Sequence, residues 1–251
     1  MAVEAALIGV LGAVIGSFLN VVIYRVPRGE SIVTPRSRCP GCGEEIAPWD
    51  NIPVVSWLVL RGRCRHCGTS ISARYPAIEL LTAVAFAAVA ATRGVDDDLV
   101  LQLPFVAVLI AVAGIDLEHR IVPNVIVAPA AAFAVAAGAV VMTGELPELL
   151  IAGAGAFLAM LVIALAYPSG MGMGDVKLAG VMGLYLGQAV IPALFVGFLT
   201  GAVVGLGIVA REGPGARKKG VPFAPFLALG GLAGLLVGAE LIDLYQDEFL
   251  A

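Results

Sequence analysis

Charge is scarce in this chain. Of 251 residues only 14% are Asp, Glu, Lys or Arg, against 60% hydrophobic, and the mean hydropathy is +0.98. A water-soluble domain carries about a quarter charged residues, so an ordinary soluble globule is excluded. Histidine is scarcer still: His66 and His119 are the only two. With no GxSxG, no HExxH and no plausible Ser–His arrangement, nucleophilic triads and zinc-hydrolase chemistry have little to draw on. No nucleotide-binding signature is visible, and no nucleic-acid partner is expected. Strand-like alternation never runs long enough for an outer-membrane barrel. A basic segment is also missing ahead of the first apolar run, 5–24, where Glu4 is the only charge, and no small-residue cleavage site follows it. The positive charge comes afterwards, at Arg25 and Arg28, as expected of a retained first helix with its N-terminus outside and not of a cleaved signal.

What is abundant is long apolar runs, each near the roughly 20 residues needed to cross a hydrocarbon core. They are rich in Ala, Gly and Val, which suits close helix packing in lipid; the 31 glycines and 15 prolines are tolerated in such bundles. The expected spans are 5–24, 76–92, 99–115, 122–142, 148–167, 177–188, 190–210 and 223–242. The sixth is short and interrupted by Gly180, Gly183 and Gly187, so a tilted or partly re-entrant helix is an alternative there. With 25–75 inside, all of the 15 Lys and Arg except Arg93 fall in inside loops, whereas Asp96, Asp97, Asp98, Glu145, Glu148, Asp243, Asp247 and Glu248 fall outside. This basic bias predicts both termini outside and an inner face suited to anionic cytoplasmic-leaflet lipid. The expected fold is all-α: a polytopic membrane bundle of about eight transmembrane helices. Three parts are expected: the first transmembrane helix (1–24), a small cytoplasmic loop domain (25–75), and a seven-helix membrane core (76–251).

The loop holds all four cysteines, as Cys39-Pro40-Gly41-Cys42 and Cys64-Arg65-His66-Cys67 with 21 residues between the pairs. Two CxxC pairs at this separation can close a tetrahedral thiolate site, so Cys39, Cys42, Cys64 and Cys67 are the candidate ligands of a structural zinc ion. A pair of disulfides is the alternative, disfavoured on the reducing side of a membrane. His66 is expected to be a bystander. So small a loop builds little core, and a metal would supply the missing folding energy. Its stretch 50–58 is apolar, with Trp49 and Trp57 at or beside its ends. Lying along the membrane interface and packing inside the zinc lobe are equally fair readings.

Acids at the ends of transmembrane segments invite a functional explanation. Asp116 directly follows the apolar run 99–115, and Asp175 sits in Gly172-Met173-Gly174-Asp175-Val176-Lys177. Although 59 residues apart, both are placed by the topology at the inner end of the bundle. Two carboxylates close enough to share a proton titrate in two steps, giving one base to activate water and one acid to assist a carbonyl oxygen. Gly172 and Gly174 would let a substrate backbone approach closely. Glu118 is a candidate for tuning the pair or meeting basic residues of a substrate. Lys177 would keep one carboxylate ionised or anchor its helix at the headgroups. The bland alternative is that both acids cap helices or pair with Arg120 and Lys177.

At this point the chain resembles the bacterial type IV prepilin peptidases. The likeness runs from Gly16-Ser17-Phe18-Leu19-Asn20 through the CxxC pairs, Asn51-Ile52-Pro53-Val54-Val55-Ser56-Trp57-Leu58 and Arg74-Tyr75-Pro76-Ala77-Ile78-Glu79. It continues through Asp116-Leu117-Glu118 and Gly172-Met173-Gly174-Asp175 to Pro222-Phe223-Ala224-Pro225-Phe226, where Ala224 stands in place of a common Gly. The resemblance implies an inner-membrane aspartic endopeptidase that removes the short basic leader of prepilin or pseudopilin precursors after a glycine. It also implies N-methylation of the new amino terminus with S-adenosylmethionine. Asp116 and Asp175 match the catalytic aspartates, and the four cysteines match the zinc set. Two other classes stay open: a transporter with acids lining a polar path, and a non-enzymatic membrane component of a secretion or pilus machine.

Overall fold

The computed structural model describes residues 2–168, 170–213 and 220–249. Arg217, Lys218 and Lys219, used above in the charge reading, lie outside the described residues, as do the side chains of Asp243 and Asp247. Among the described residues the elements are helical apart from two isolated bridges. Six apolar segments are long enough to cross a membrane. One of them, 173–212, is two helices joined through a 3-10 turn, and the last helix adds a shorter apolar stretch, Ala224–Gly238. The chain is therefore an all-α, multi-pass membrane protein, and among the described residues seven long helices and one short one lie close to the expected spans.

The chain divides into two compact units, Met1–Val95 and Asp96–Ala251. In the first, α1 (Ala2–Arg25) packs along α3 (Arg74–Arg93). The reason is a glycine stripe. A Cβ at Gly12 would lie 2.7 Å from the Thr82 carbonyl, and one at Gly16 would lie 2.7 Å from Glu79 Cα. Without side chains there the two backbones close on each other, the means by which helices associate in lipid. The Asn20 amide then crosses between them, donating to the carbonyls of Gly16 and Tyr75 at 3.3 and 3.0 Å. Between the two helices lies the cysteine lobe, with one short helix, α2 (Val55–Val59).

The second unit contains α4 (Leu99–His119), α5 (Asn124–Val141), α6 (Leu146–Ala166), α7 (Met173–Leu186), α8 (Val190–Glu212) and α9 (Ala224–Phe249). Its centre is α7. With 14 residues this helix is about 21 Å long, short of a roughly 30 Å hydrocarbon core. It is tolerated because the run Val176–Gly183, apart from Lys177, is buried. Gly183 lets α7 sit on α6, for a Cβ there would meet Gly153 Cα at 2.7 Å. Phe105 of α4 stacks on Tyr185 with ring centroids 4.9 Å apart, and the Tyr185 hydroxyl donates to the Ala130 carbonyl of α5 at 2.9 Å. The weak sixth span of the sequence is thus a short helix inside the bundle, and it begins before Asp175, not after it.

Candidate active site and cysteine centre

Asp116 lies in the last turn of α4 and Asp175 in the first turn of α7, so the end of one helix meets the start of another. Both line one cavity of about 260 Å³, together with Arg120, Ile121, Val122, Gly172 and Gly174. Asp116 is only 5% exposed. One of its oxygens accepts the backbone N–H of Ala224 at 3.1 Å. Ala224 is the first residue of α9, and its amide is one of the donors a helix leaves unpaired at its N-terminus, where the macrodipole also favours an acid. Asp175 holds the corresponding position on its own helix: its carboxylate accepts the N–H of Gly172 at 3.3 Å, a helix-capping contact. Each aspartate is thus fixed through one oxygen by a helix-start amide.

The chain turns sharply beneath the pair. Arg120 takes a left-handed conformation (φ 56°) and its N–H closes on the Asp116 carbonyl at 2.9 Å. Pro123 then caps α5 in extended conformation. Val122, carried across by this turn, presses against Gly174: a Cβ on Gly174 would lie 2.6 Å from Val122 Cβ. A Cβ on Gly172 would make only ordinary contacts, the nearest at 3.5 Å. Gly174→Ala should therefore push the loop from the cavity and lower turnover about tenfold or more, while Gly172→Ala should cost less at the same expression level. Steady-state kinetics on both variants with one precursor checks this ordering.

Glu118 is exposed, does not line the cavity, and stands 3.9 Å from His119. Lys177 also points elsewhere: its Nζ donates to Asn124 Oδ1 at 2.9 Å. Those two residues open a second, apolar groove of about 640 Å³ that runs along α5, α6 and α7 past Val127, Ala131, Phe157 and Gly180. Arg120 and the Ala224 amide were missed as parts of the site in the sequence. The signal for the second was present, since the Pro222-Phe223-Ala224 segment stood out without a role.

The four cysteines come together, with their sulfurs all within 4.8 Å of one another. Two matching turns bring them there. Cys39 N–H donates to the Glu44 carbonyl (2.9 Å) and Gly43 N–H to the Cys39 carbonyl (2.8 Å). Cys64, Thr69 and Gly68 repeat the pattern at 2.8 and 3.0 Å. Gly43 and Gly68 sit at φ 75° and 71°, a conformation that favours glycine. The Thr69 hydroxyl and amide hold the Cys67 thiol down, to about 6. Cys42, against the lowering effect of a backbone hydrogen bond at Glu44, is pushed up to about 12 by desolvation and the neighbouring sulfurs. Thiols crowded this closely do not all ionise unless a cation offsets their charge, so the donor set fits a metal ion. All four are free thiols, with no disulfide among them.

Fold and cavity together define a multi-pass helical membrane protein built around a pair of carboxylates. Residues 10–93 match the bacterial peptidase A24 N-terminal domain, and residues 103–206 match the type IV leader peptidase family. The prepilin leader peptidase/N-methyltransferase of Bacillus subtilis (strain 168) is 36% identical over 237 residues, covering 94% of this chain and 95% of the relative. The proteins of that name from Aeromonas hydrophila and Pseudomonas aeruginosa are 34% and 31% identical, covering 98% and 94% of this chain and 94% and 91% of their own length. The chain belongs to the type IV leader peptidase family, a family of aspartic peptidases. No solved structure matches it.

Proposed function

We propose that this chain cleaves the short basic leader from type IV prepilin or pseudopilin precursors after a glycine, and methylates the amino terminus so exposed. The observation that carries the cleavage is the shared cavity of Asp116 and Asp175. One carboxylate, ionised, takes a proton from water as that water attacks the scissile carbonyl carbon. The other, protonated, gives its proton to the carbonyl oxygen as the tetrahedral intermediate forms. Because one oxygen of each is held by a backbone amide, the second oxygen is available to the reacting atoms. Gly172 and Gly174 keep side chains out of the way of the peptide. The apolar groove that starts at Asn124 and Lys177, two residues beyond Val122 and Asp175, supports lateral entry of the precursor's hydrophobic helix from lipid.

In this reading the protein lies in the bacterial cytoplasmic membrane, with both termini outside and the aspartates and the cysteine loop at the cytoplasmic face. Cys39, Cys42, Cys64 and Cys67 hold a structural zinc ion, with residues 25–75 as its lobe and 76–251 as the peptidase core. S-adenosylmethionine is the methyl donor, and no step of the cleavage depends on it. Glu118, exposed near the cavity, meets basic residues of the leader. Glu118→Gln should then raise KM several-fold and leave kcat near the parent value, as expected for a contact of partly exposed charges. A parent-like KM would remove that role.

The test is direct. Purified protein is incubated with a prepilin-like precursor and S-adenosylmethionine, and the product is read by mass spectrometry. Leader loss with one added methyl group supports the whole reading. Leader loss without methylation leaves a peptidase only, and no cleavage of several well-folded precursors removes the reading.

A further inference from the structure

The cysteine lobe carries an apolar face that nothing in the first unit covers. On α2, Val55, Leu58 and Val59 share one side at helical spacing. Leu58 is 61% exposed and Val59 71%. Ile52 and Trp49, just before them, are also exposed, Trp49 by 66%. The other side of α2 is different. Ser56 is buried, and the Trp57 indole N–H donates to the Ile71 carbonyl at 3.0 Å, with its ring against Gly62. So Trp57 is packed inside the lobe, whereas Trp49 faces out with the aliphatic residues.

The height of this face is set by one hydrogen bond. The Val54 N–H, at the start of α2, donates to Glu79 Oε2 at 2.7 Å. Val54 is held there in a positive-φ conformation (61°) that a β-branched residue rarely adopts, and the Ser17 hydroxyl also hydrogen-bonds the Glu79 carboxyl. Glu79 lies on α3, five residues, or about 7.5 Å, beyond its first residue, Arg74. That helix has only 20 residues, about 30 Å, so nearly all of it is needed to cross a hydrocarbon core of roughly 30 Å. The start of α2 is therefore level with the second turn of a membrane-spanning helix, not above the bilayer. Apolar side chains that are exposed at that level face lipid. Trp at the edge of such a face is the residue that settles at headgroup depth. Arg61 and Arg63, exposed immediately after α2, are placed to meet lipid phosphates.

We infer that the cysteine lobe is a monotopic element: Trp49, Ile52, Val55, Leu58 and Val59 insert into the headgroup–acyl boundary beside α3, and the occupant of this face is membrane lipid. The lobe is thereby held at a fixed depth instead of projecting freely from the membrane.

The chain has only two tryptophans, one on each side of the lobe, so each can be read alone. The full-length Trp57→Phe and Trp49→Phe proteins are reconstituted into phosphatidylcholine–phosphatidylglycerol vesicles with lipid brominated at acyl carbons 6 and 7. Trp49, alone in the first protein, should lose about half of its emission to brominated lipid and resist aqueous iodide, as an interfacial ring does. Trp57, alone in the second, should lose much less to brominated lipid. Should Trp57→Phe fail to fold, the parent signal minus that of Trp49→Phe gives the Trp49 contribution. Quenching of Trp49 by iodide and not by bromolipid would place the face in water and overturn the inference. Resistance to both quenchers would mean that protein covers it, a second copy or another part of the chain, and would overturn it equally.

Discussion

Asparagine at either Asp116 or Asp175 should abolish measurable leader cleavage, with kcat falling by about 10³, within the range for loss of an acid or base group. The substitution is close to isosteric. An asparagine carbonyl can still accept the Ala224 N–H at position 116 or the Gly172 N–H at position 175, so the helix-end contacts that fix each side chain survive. What is lost is the proton: an amide neither takes one from water nor gives one to a carbonyl oxygen. Because the two groups act in one transition state, the double variant should be hardly slower than either single one. Precursor conversion followed by mass spectrometry gives the rates, and thermal unfolding in detergent, expected to change little, shows that the bundle is intact. A folded single variant that keeps even a tenth of the parent rate would break the assignment of the pair. Loss of activity accompanied by unfolding in Asp116→Asn, but not in an Asp116→Glu protein that also lacks activity, would still point to chemistry.

The sequence showed most of this fold because the controlling physics is local and one-dimensional. Apolar runs of bilayer length and the placement of Lys and Arg are both readable along a line, and the described helices lie close to the spans those two signals define. The CxxC spacing is likewise a local code, and four sulfurs within 4.8 Å of one another follow it. What was hidden depends on contacts between distant segments. The sixth span looked doubtful because its glycines weaken a helix taken alone. In the bundle those same glycines let α6 and α7 touch, and burial compensates for the short length. The apolar stretch around Trp49 and Trp57 could be read as interface or as core; Ser56 and Trp57 pack in the lobe, while Trp49, Leu58 and Val59 are exposed. That split depends on Glu79 reaching Val54 across 25 positions, which no periodicity reveals. The Pro222-Phe223-Ala224 segment stood out, but its role did not: a backbone donor has no side-chain signature, and the partner of the Ala224 amide is 108 residues away. For Lys177, read as keeping a carboxylate ionised or anchoring its helix at the headgroups, the helix turn carries the amine to Asn124.

Removing the metal proposed for the four cysteines should unfold the lobe and leave the helix pair beneath it standing. Apart from Cys39, Ser56 and Gly62, little of the lobe is buried, so apolar burial contributes only weakly to its order. Its two knuckles are each closed by a pair of backbone hydrogen bonds, worth about 1 kcal/mol apiece, which does not offset the entropy of fixing five residues. A structural zinc ion contributes on the order of 10 kcal/mol in small domains of this kind and would dominate the balance. Treatment with a strong chelator should therefore raise tryptic cleavage at Arg36, Arg38, Arg61 and Arg63 by about two orders of magnitude or more. Arg65 should resist longer, because its guanidinium is bound to Asp50, with Nε 2.8 Å from the carboxylate, a contact that also holds the Asp50 carboxyl below its usual range. The glycine-stripe contact between α1 and α3 owes nothing to the metal, and those helices should stay protected. Elemental analysis before and after chelation gives the metal count, expected to be one per chain and then none. Cys39→Ser with Cys67→Ser should reproduce the cleavage pattern without chelator. If tryptic resistance persists after metal loss is confirmed, the turns are self-supporting and the ion is not what orders the lobe.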